Sequence, residues 1–189
     1  MAGPVVFTGA WITGSLLQTG HGAASVQISG LAAPDARYPW IMITGFVVLG
    51  GCAMVFGREL GREIPGSLVP RLVQGAGVLT VAAGLLRRDH MLLTAGPVSW
   101  HNHAHDVLSA VIYVDLVIVQ ALLARDFGRV QARRRWRPWL LASAVATAAT
   151  LIAFAAGTSS PDAGVLQRVA VTIPLAAIAA VAAALIMMS

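Results

Sequence analysis

The sequence predicts an all-α fold, a polytopic membrane bundle of six transmembrane helices, and three observations carry that prediction. Apolar side chains make up 57% of the 189 residues and charged ones 11%, with a mean hydropathy of +0.76. That charge content is less than half the roughly 25% of an ordinary soluble domain. Uncharged runs also recur near the length of about 20 residues that carries a helix across about 30 Å of hydrocarbon. Finally, the arginines fall mostly into alternate connections, as the positive-inside rule requires of a multi-pass chain. The same composition excludes a disordered chain, and the lone Cys52 excludes a disulfide scaffold.

The predicted spans lie near 4–20, 39–57, 70–86, 103–124, 138–156 and 167–188, and together form a single domain over 1–189. The first is short, rich in Gly and Thr, and continues into an uncharged polar stretch that ends at Asp35. A secretory signal opens with positive charge, and no basic residue occurs here before Arg37, so this segment is expected to be a retained helix. The second span opens at Pro39. Pro70 stands where the third helix tolerates a proline, at its start. The fourth contains Asp115. Gly157 stops the fifth, and small residues dominate the fifth and sixth, as expected where helices approach closely in lipid.

All 13 basic residues are arginine, and nine of them lie in two connections. Arg58, Arg62 and Arg71 lie between the second and third spans, and Arg125, Arg129, Arg133, Arg134, Arg135 and Arg137 between the fourth and fifth. That side is expected to be cytoplasmic, with both termini on it, in the plasma (inner) membrane. Arg133-Arg134-Arg135-Trp136-Arg137 beside a helix start has the composition of an anionic-lipid anchor and topology determinant, so membrane lipids are expected partners and nucleic acid is not. No phosphate loop, paired-cysteine metal motif or aspartate-rich diphosphate motif occurs.

Polar residues are scarce, which makes their placement informative. His90, His101, His103 and His105 fall between the third span and the start of the fourth, and His21 falls between the first and second. All five thus map to the expected extracytoplasmic side, together with Ser29, Asp89 and Arg168. If the fourth helix begins near Trp100, His101 and His105 form an i, i+4 pair, a spacing that lets two imidazoles reach one metal ion. Asp115 returns to within about 40° of His101, almost four turns deeper. Asp89 is the candidate third ligand, and His21 or His90 the fourth, with water on a zinc ion as a usable nucleophile. A solvated, His-rich interface accounts for the same residues, as does haem ligation. Asp115 is explained equally by a structural hydrogen bond between helices, since a carboxylate that deep costs several kcal/mol unless paired or neutral. Arg168 is either a snorkelling interfacial side chain or a clamp for an anion.

Gln27-Ile28-Ser29-Gly30-Leu31, followed by Pro39-Trp40-Ile41-Met42-Ile43-Thr44-Gly45-Phe46, resembles the signature of the bacterial membrane family catalogued as domain of unknown function 998. Asp89, the His101-to-His105 spacing and Gly164-x-x-Gln167-Arg168 resemble that family's later landmarks in the same order. The likeness covers nearly the whole chain and implies a six-helix membrane protein. More distantly, Ser, then Asp, then HxxxH is similar to the set in the alkaline ceramidase, progestin and adipoQ receptor, and haemolysin-III-like membrane proteins, which bind zinc. That resemblance implies Ser29 and Asp89 as catalytic residues and His101 and His105 as paired zinc ligands.

The leading functional expectation is therefore a membrane-embedded, metal-dependent hydrolase acting on a lipid or other amphiphile from the extracytoplasmic face. Asp89, His101 and His105 would hold zinc, Ser29 would orient the water or an oxyanion, and Arg168 would hold an anionic headgroup. His21, His90, His103 and Asp115 are further candidates. A second expectation is a non-enzymatic transporter, lipid-binding or assembly protein, with Asp115 as its best support. A third is haem or quinone redox chemistry.

Overall fold

Each predicted span forms a helix, and the boundaries show what a search for uncharged runs leaves out. The computed structural model describes residues 2–92 and 97–188, without the side chains of 186–188. The helices are α1 (Ala2–Leu17), α2 (Pro39–Glu63), α3 (Val69–Leu85), α4 (Trp100–Gly128), α5 (Arg137–Ala156) and α6 (Ala163–Met188). Short 3₁₀ turns occur at Ser29–Ala32 and Gln131–Trp136, and no strand occurs among the described residues. α2 continues past Gly57 because Arg58, Glu59, Arg62 and Glu63 are good helix formers whose charges reach water, and Arg62 pairs with Glu59 one turn back. α4 begins at Trp100, where the Ser99 hydroxyl caps the helix by accepting from Asn102 N at 3.5 Å.

Four helices are long and apolar enough to cross a bilayer, whereas α1 and α3, at 16 and 17 residues, are shorter apolar helices. At about 1.5 Å per residue these two extend about 24–26 Å. The protein is therefore a multi-pass, all-helical membrane protein. Consecutive helices pack against one another around a ring, which α6 closes by touching α1 and α4. The closest seam joins α2 and α3. A Cβ on Gly77 would stand 2.6 Å from the Gly50 carbonyl oxygen, so paired glycines let the two backbones touch.

The bundle has two chemically different ends. The α2–α3 and α4–α5 connections form an arginine end, above a core of Leu60, Val69, Val119, Leu123, Phe127 and Leu140. The other three connections form a histidine end. There the chain between α1 and α2 turns back across the helices, and Val26 to Ala33 are all buried. They join Phe7, Met42 and Met91 in a second core, with Phe7 and Phe46 edge to face at 5.3 Å.

Deep in α4, Gln120 ties that helix to α5. Its Nε2 donates to Leu116 O at 2.9 Å and to Thr147 Oγ1 at 3.1 Å, while its Oε1 accepts from Ser143 Oγ at 2.5 Å. A fully satisfied amide of this kind holds helices together where no water competes.

Candidate functional site

The histidine end is built around the start of α6. A Cβ on Gly164 would lie inside the van der Waals envelope of the Ala23, Ala24 and Val26 carbonyl oxygens, so the missing side chain lets residues 23–26 settle on the helix. Gly164 N donates to Ala24 O at 2.7 Å. One turn on, Gln167 Oε1 accepts from Ile28 N at 2.5 Å and its Nε2 donates to Tyr113 Oη at 2.8 Å. Arg168 Nη1 donates to Ala23 O and Val26 O, both at 2.7 Å, and to Gly164 O at 2.8 Å. Its Nη2 donates to Ser15 Oγ at 2.7 Å, and the guanidinium lies 5.3 Å from the Trp11 ring centroid. The guanidinium expected to meet an anionic headgroup is thus turned inward and committed to the protein's own backbone. The two motifs Gln27-to-Leu31 and Gly164-to-Arg168 are the two halves of one joint.

A second polar cluster closes the α3–α4 connection. Asp89 accepts from the Ser99 backbone N–H and, at 2.8 Å, from the Ser99 hydroxyl. The backbone bond first, and then the hydroxyl, hold its carboxyl below the usual carboxylate range. Asn102, buried, accepts from Asp89 N at 3.2 Å and donates to Asp106 at 2.9 Å. Arg88, also buried, donates to Gln27 Oε1 at 2.9 Å and lies 3.8 Å from Asp106. Burial pulls the Arg88 guanidinium below its ordinary value, opposed chiefly by Asp106. His105 Nδ1 lies 2.8 Å from Ala83 O and 3.1 Å from Leu86 O, so this nitrogen carries the hydrogen and caps carbonyls left free where α3 ends. Its Nε2 is buried with no hydrogen-bond partner among the described residues.

The expected i, i+4 relation of His101 and His105 exists on α4, but the two rings have different surroundings. His101 is exposed in the first turn and stacks on Trp100 with centroids 3.9 Å apart, while His105 is 1% exposed and packs edge to face with Phe46. His21 and His103 are exposed and His90 is half-buried. Among the described residues no three His, Cys, Asp or Glu side chains form a group that could hold a metal. Of the residues expected to hold zinc, Asp89 is bonded through both oxygens to Ser99, His101 Nδ1 lies 3.4 Å from that same Ser99 hydroxyl, and His105 Nδ1 is turned to the end of α3.

Ser29 and Asp115 belong to a different place, the wall of a central cavity of about 150 Å³. α1, α2, α3, α4 and α6 all contribute to it. Ser29, Thr80, Ser109, Tyr113 and Gln167 supply its polar atoms, whereas Phe56, Val73, Val119 and Ile178 give an apolar lining. Asp115 is the one carboxylate in the wall, and its Oδ2 is buried without a hydrogen-bond partner among the described residues. Thr80 does not meet it, since its hydroxyl donates to Ala76 O at 2.7 Å.

Sequence reasoning singled out Asp115 but missed Tyr113 two residues before it, which reads as an ordinary interfacial aromatic. It also missed the structural parts of Arg88 and Asn102. Gln27 and Gln167 were visible as motif letters, although only the fold shows that one accepts from Arg88 and the other holds the Ile28 amide. No curated protein and no solved structure matches the chain. The family described as "Protein of unknown function (DUF998)" matches residues 1–184, nearly the full length, and the chain belongs to that DUF998 family.

Proposed function

We propose that this protein binds a small amphiphile inside the bundle, with Asp115 receiving the ligand's polar group. The observation that carries the reading is the unpartnered Asp115 oxygen in a cavity whose remaining wall is mostly apolar. A buried polar group without a partner costs on the order of 1–3 kcal/mol, so an unmade hydrogen bond there favours a ligand that makes it. The complement of a carboxylate oxygen is a donor, an alcohol or an amine. An apolar cavity of this volume takes a body of about benzene size. Tyr113, Ser29 and Gln167 lie on the side of the histidine end to receive further polar atoms, and Phe56, Val119 and Ile178 suit the apolar part. With nine of thirteen arginines at the arginine end, we place that end and both termini in the cytoplasm of a cell whose plasma (inner) membrane holds the protein.

The test uses phenylalkyl alcohols and amines as probes, with the matching alkylbenzene as the donor-free control, and follows binding by ligand-detected NMR on the purified protein. Asp115→Asn should weaken the alcohol or amine about tenfold and leave the alkylbenzene unchanged. Ala179→Leu, which fills the cavity, should weaken all three. Unchanged binding in both variants would sink the proposal.

A metal-dependent hydrolase is the second reading, supported by the buried Nε2 of His105, which has no hydrogen-bond partner among the described residues. It requires Ser99 to release Asp89 and the His101 ring to leave Trp100. Metal analysis separates the readings: stoichiometric zinc that disappears in His105→Ala supports hydrolysis, and its absence from zinc-supplemented preparations counts against it.

A further inference from the structure

A second cavity, of about 300 Å³, opens at the arginine end between the last turns of α4 and the first of α5. Its wall consists of Arg125, Arg129 and Arg137 with Gly128, Ala121 and Leu141. Two of the three arginines share one carboxylate. Arg125 Nε lies 2.9 Å and Arg129 Nη1 3.6 Å from Asp126 Oδ1, while Arg137 has no ion pair among the described residues. Asp126 is also engaged by the Ser67 hydroxyl at 2.6 Å, its side chain is only 11% exposed, and it does not line the cleft. A Cβ at Gly128 would come within 2.9 Å of Arg137 Cδ, and the glycine therefore lets the Arg137 stem lie across α4. One helical turn further into each helix, Ala121 and Leu141 are exposed and apolar.

The other arginines of this connection are used differently. Arg133 is committed to α2 through Glu63, with Nη2 2.7 Å from its carboxylate and Nη1 3.1 Å from its carbonyl oxygen. It also lies over the Phe127 ring. Arg134 and Arg135 are exposed and line no part of the cleft.

We infer that this cleft is a binding site for the phosphate-bearing headgroup of an anionic phospholipid. Guanidinium forks match phosphate oxygens in pairs, and three of them lining a cleft with one carboxylate behind two of them leave a positive surplus that no other carboxylate among the described residues offsets. A phospholipid, in preference to free phosphate, is selected by the lower wall, because Ala121 and Leu141 continue the cleft along the lipid-facing seam where an acyl chain lies. The site is independent of the Asp115 cavity.

The experiment compares two double variants that remove equal charge from the same connection. Arg129→Gln with Arg137→Gln alters the cleft, and Arg134→Gln with Arg135→Gln does not. Delipidated protein is titrated with phosphatidylglycerol and with phosphatidylcholine, and retained lipid is counted by native mass spectrometry. The cleft variant should retain phosphatidylglycerol on the order of tenfold less well and the control less than about twofold less well. Phosphatidylcholine should be weak throughout. Leu141→Trp keeps every charge and should also weaken phosphatidylglycerol, and millimolar inorganic phosphate should not displace it. Equal losses in the two double variants would overturn the site in favour of diffuse attraction. Displacement by inorganic phosphate with no effect of Leu141→Trp would overturn the lipid. Should the cleft double variant fail to fold, Arg137→Gln alone is read by the same criteria.

Discussion

Arg168 and Asp115 are the two charged side chains that the sequence sets most conspicuously among apolar neighbours, and the fold treats them in opposite ways. Arg168, 8% exposed, gives hydrogen bonds to three backbone carbonyls and a serine hydroxyl. Asp115 lines a cavity with an oxygen that no described group meets. Arg168 keeps only its Nε without a partner among the described residues, and its four bonds tie two segments of the fold together, whereas the unmet Asp115 oxygen ties nothing and faces a cavity. Both look alike in the sequence, where each is simply an ionisable letter in a hydrophobic run.

Four substitutions test that contrast. The largest effect is expected for Arg168→Ala, which strands the Ala23 and Val26 carbonyls and should cost roughly 3–5 kcal/mol in unfolding, with faster proteolysis of the α1–α2 connection. Arg168→Lys should recover less than half of that loss, because an ammonium cannot span the same acceptors. Asp115→Leu should act in the other direction, raising stability by roughly 1–3 kcal/mol while abolishing binding of alcohol and amine probes. If Asp115→Leu destabilises as strongly as Arg168→Ala, the contrast fails and Asp115 is structural. Gly164→Ala should cost about 1–3 kcal/mol by forcing residues 23–26 off α6, visible in the same unfolding measurement.

The smallest expected effect concerns the Asp89 cap, where the sign follows from its depressed carboxyl. Its contribution is present above the ordinary carboxylate range and is lost as pH falls through the lower folded value. Acid titration of helix α4 by hydrogen exchange should therefore show a step that Asp89→Asn removes. An unchanged step in that variant would assign it to another group.

Much of the architecture was legible because hydrophobicity along a chain reports directly on the solvent around it. The six helices, the start of α4 near Trp100 and the shortness of the first segment all follow from local composition. The finer bounds did not, because Arg58 to Glu63 continue α2 with charged residues, and α6 starts early on the strength of a contact with Ala24. The site was harder to read for the same reason. His101 and His105 are spaced for one metal, yet the end of α3 supplies carbonyls that take His105, and nothing local announces which helix will end beside it. Asp115 was legible as a costly residue, whereas the cavity it faces is made by five helices at once.

The joint between residues 23–28 and Gly164 to Arg168 also has a consequence in time. Its partners are separated by up to 145 residues, so the first connection of the chain cannot reach its final place until the last helix has entered the membrane. Non-local contacts of that kind form late. The central cavity, which needs residues from both α1 and α6, therefore comes into existence only at the final step of assembly, and a chain stalled before that step has helices but no cavity.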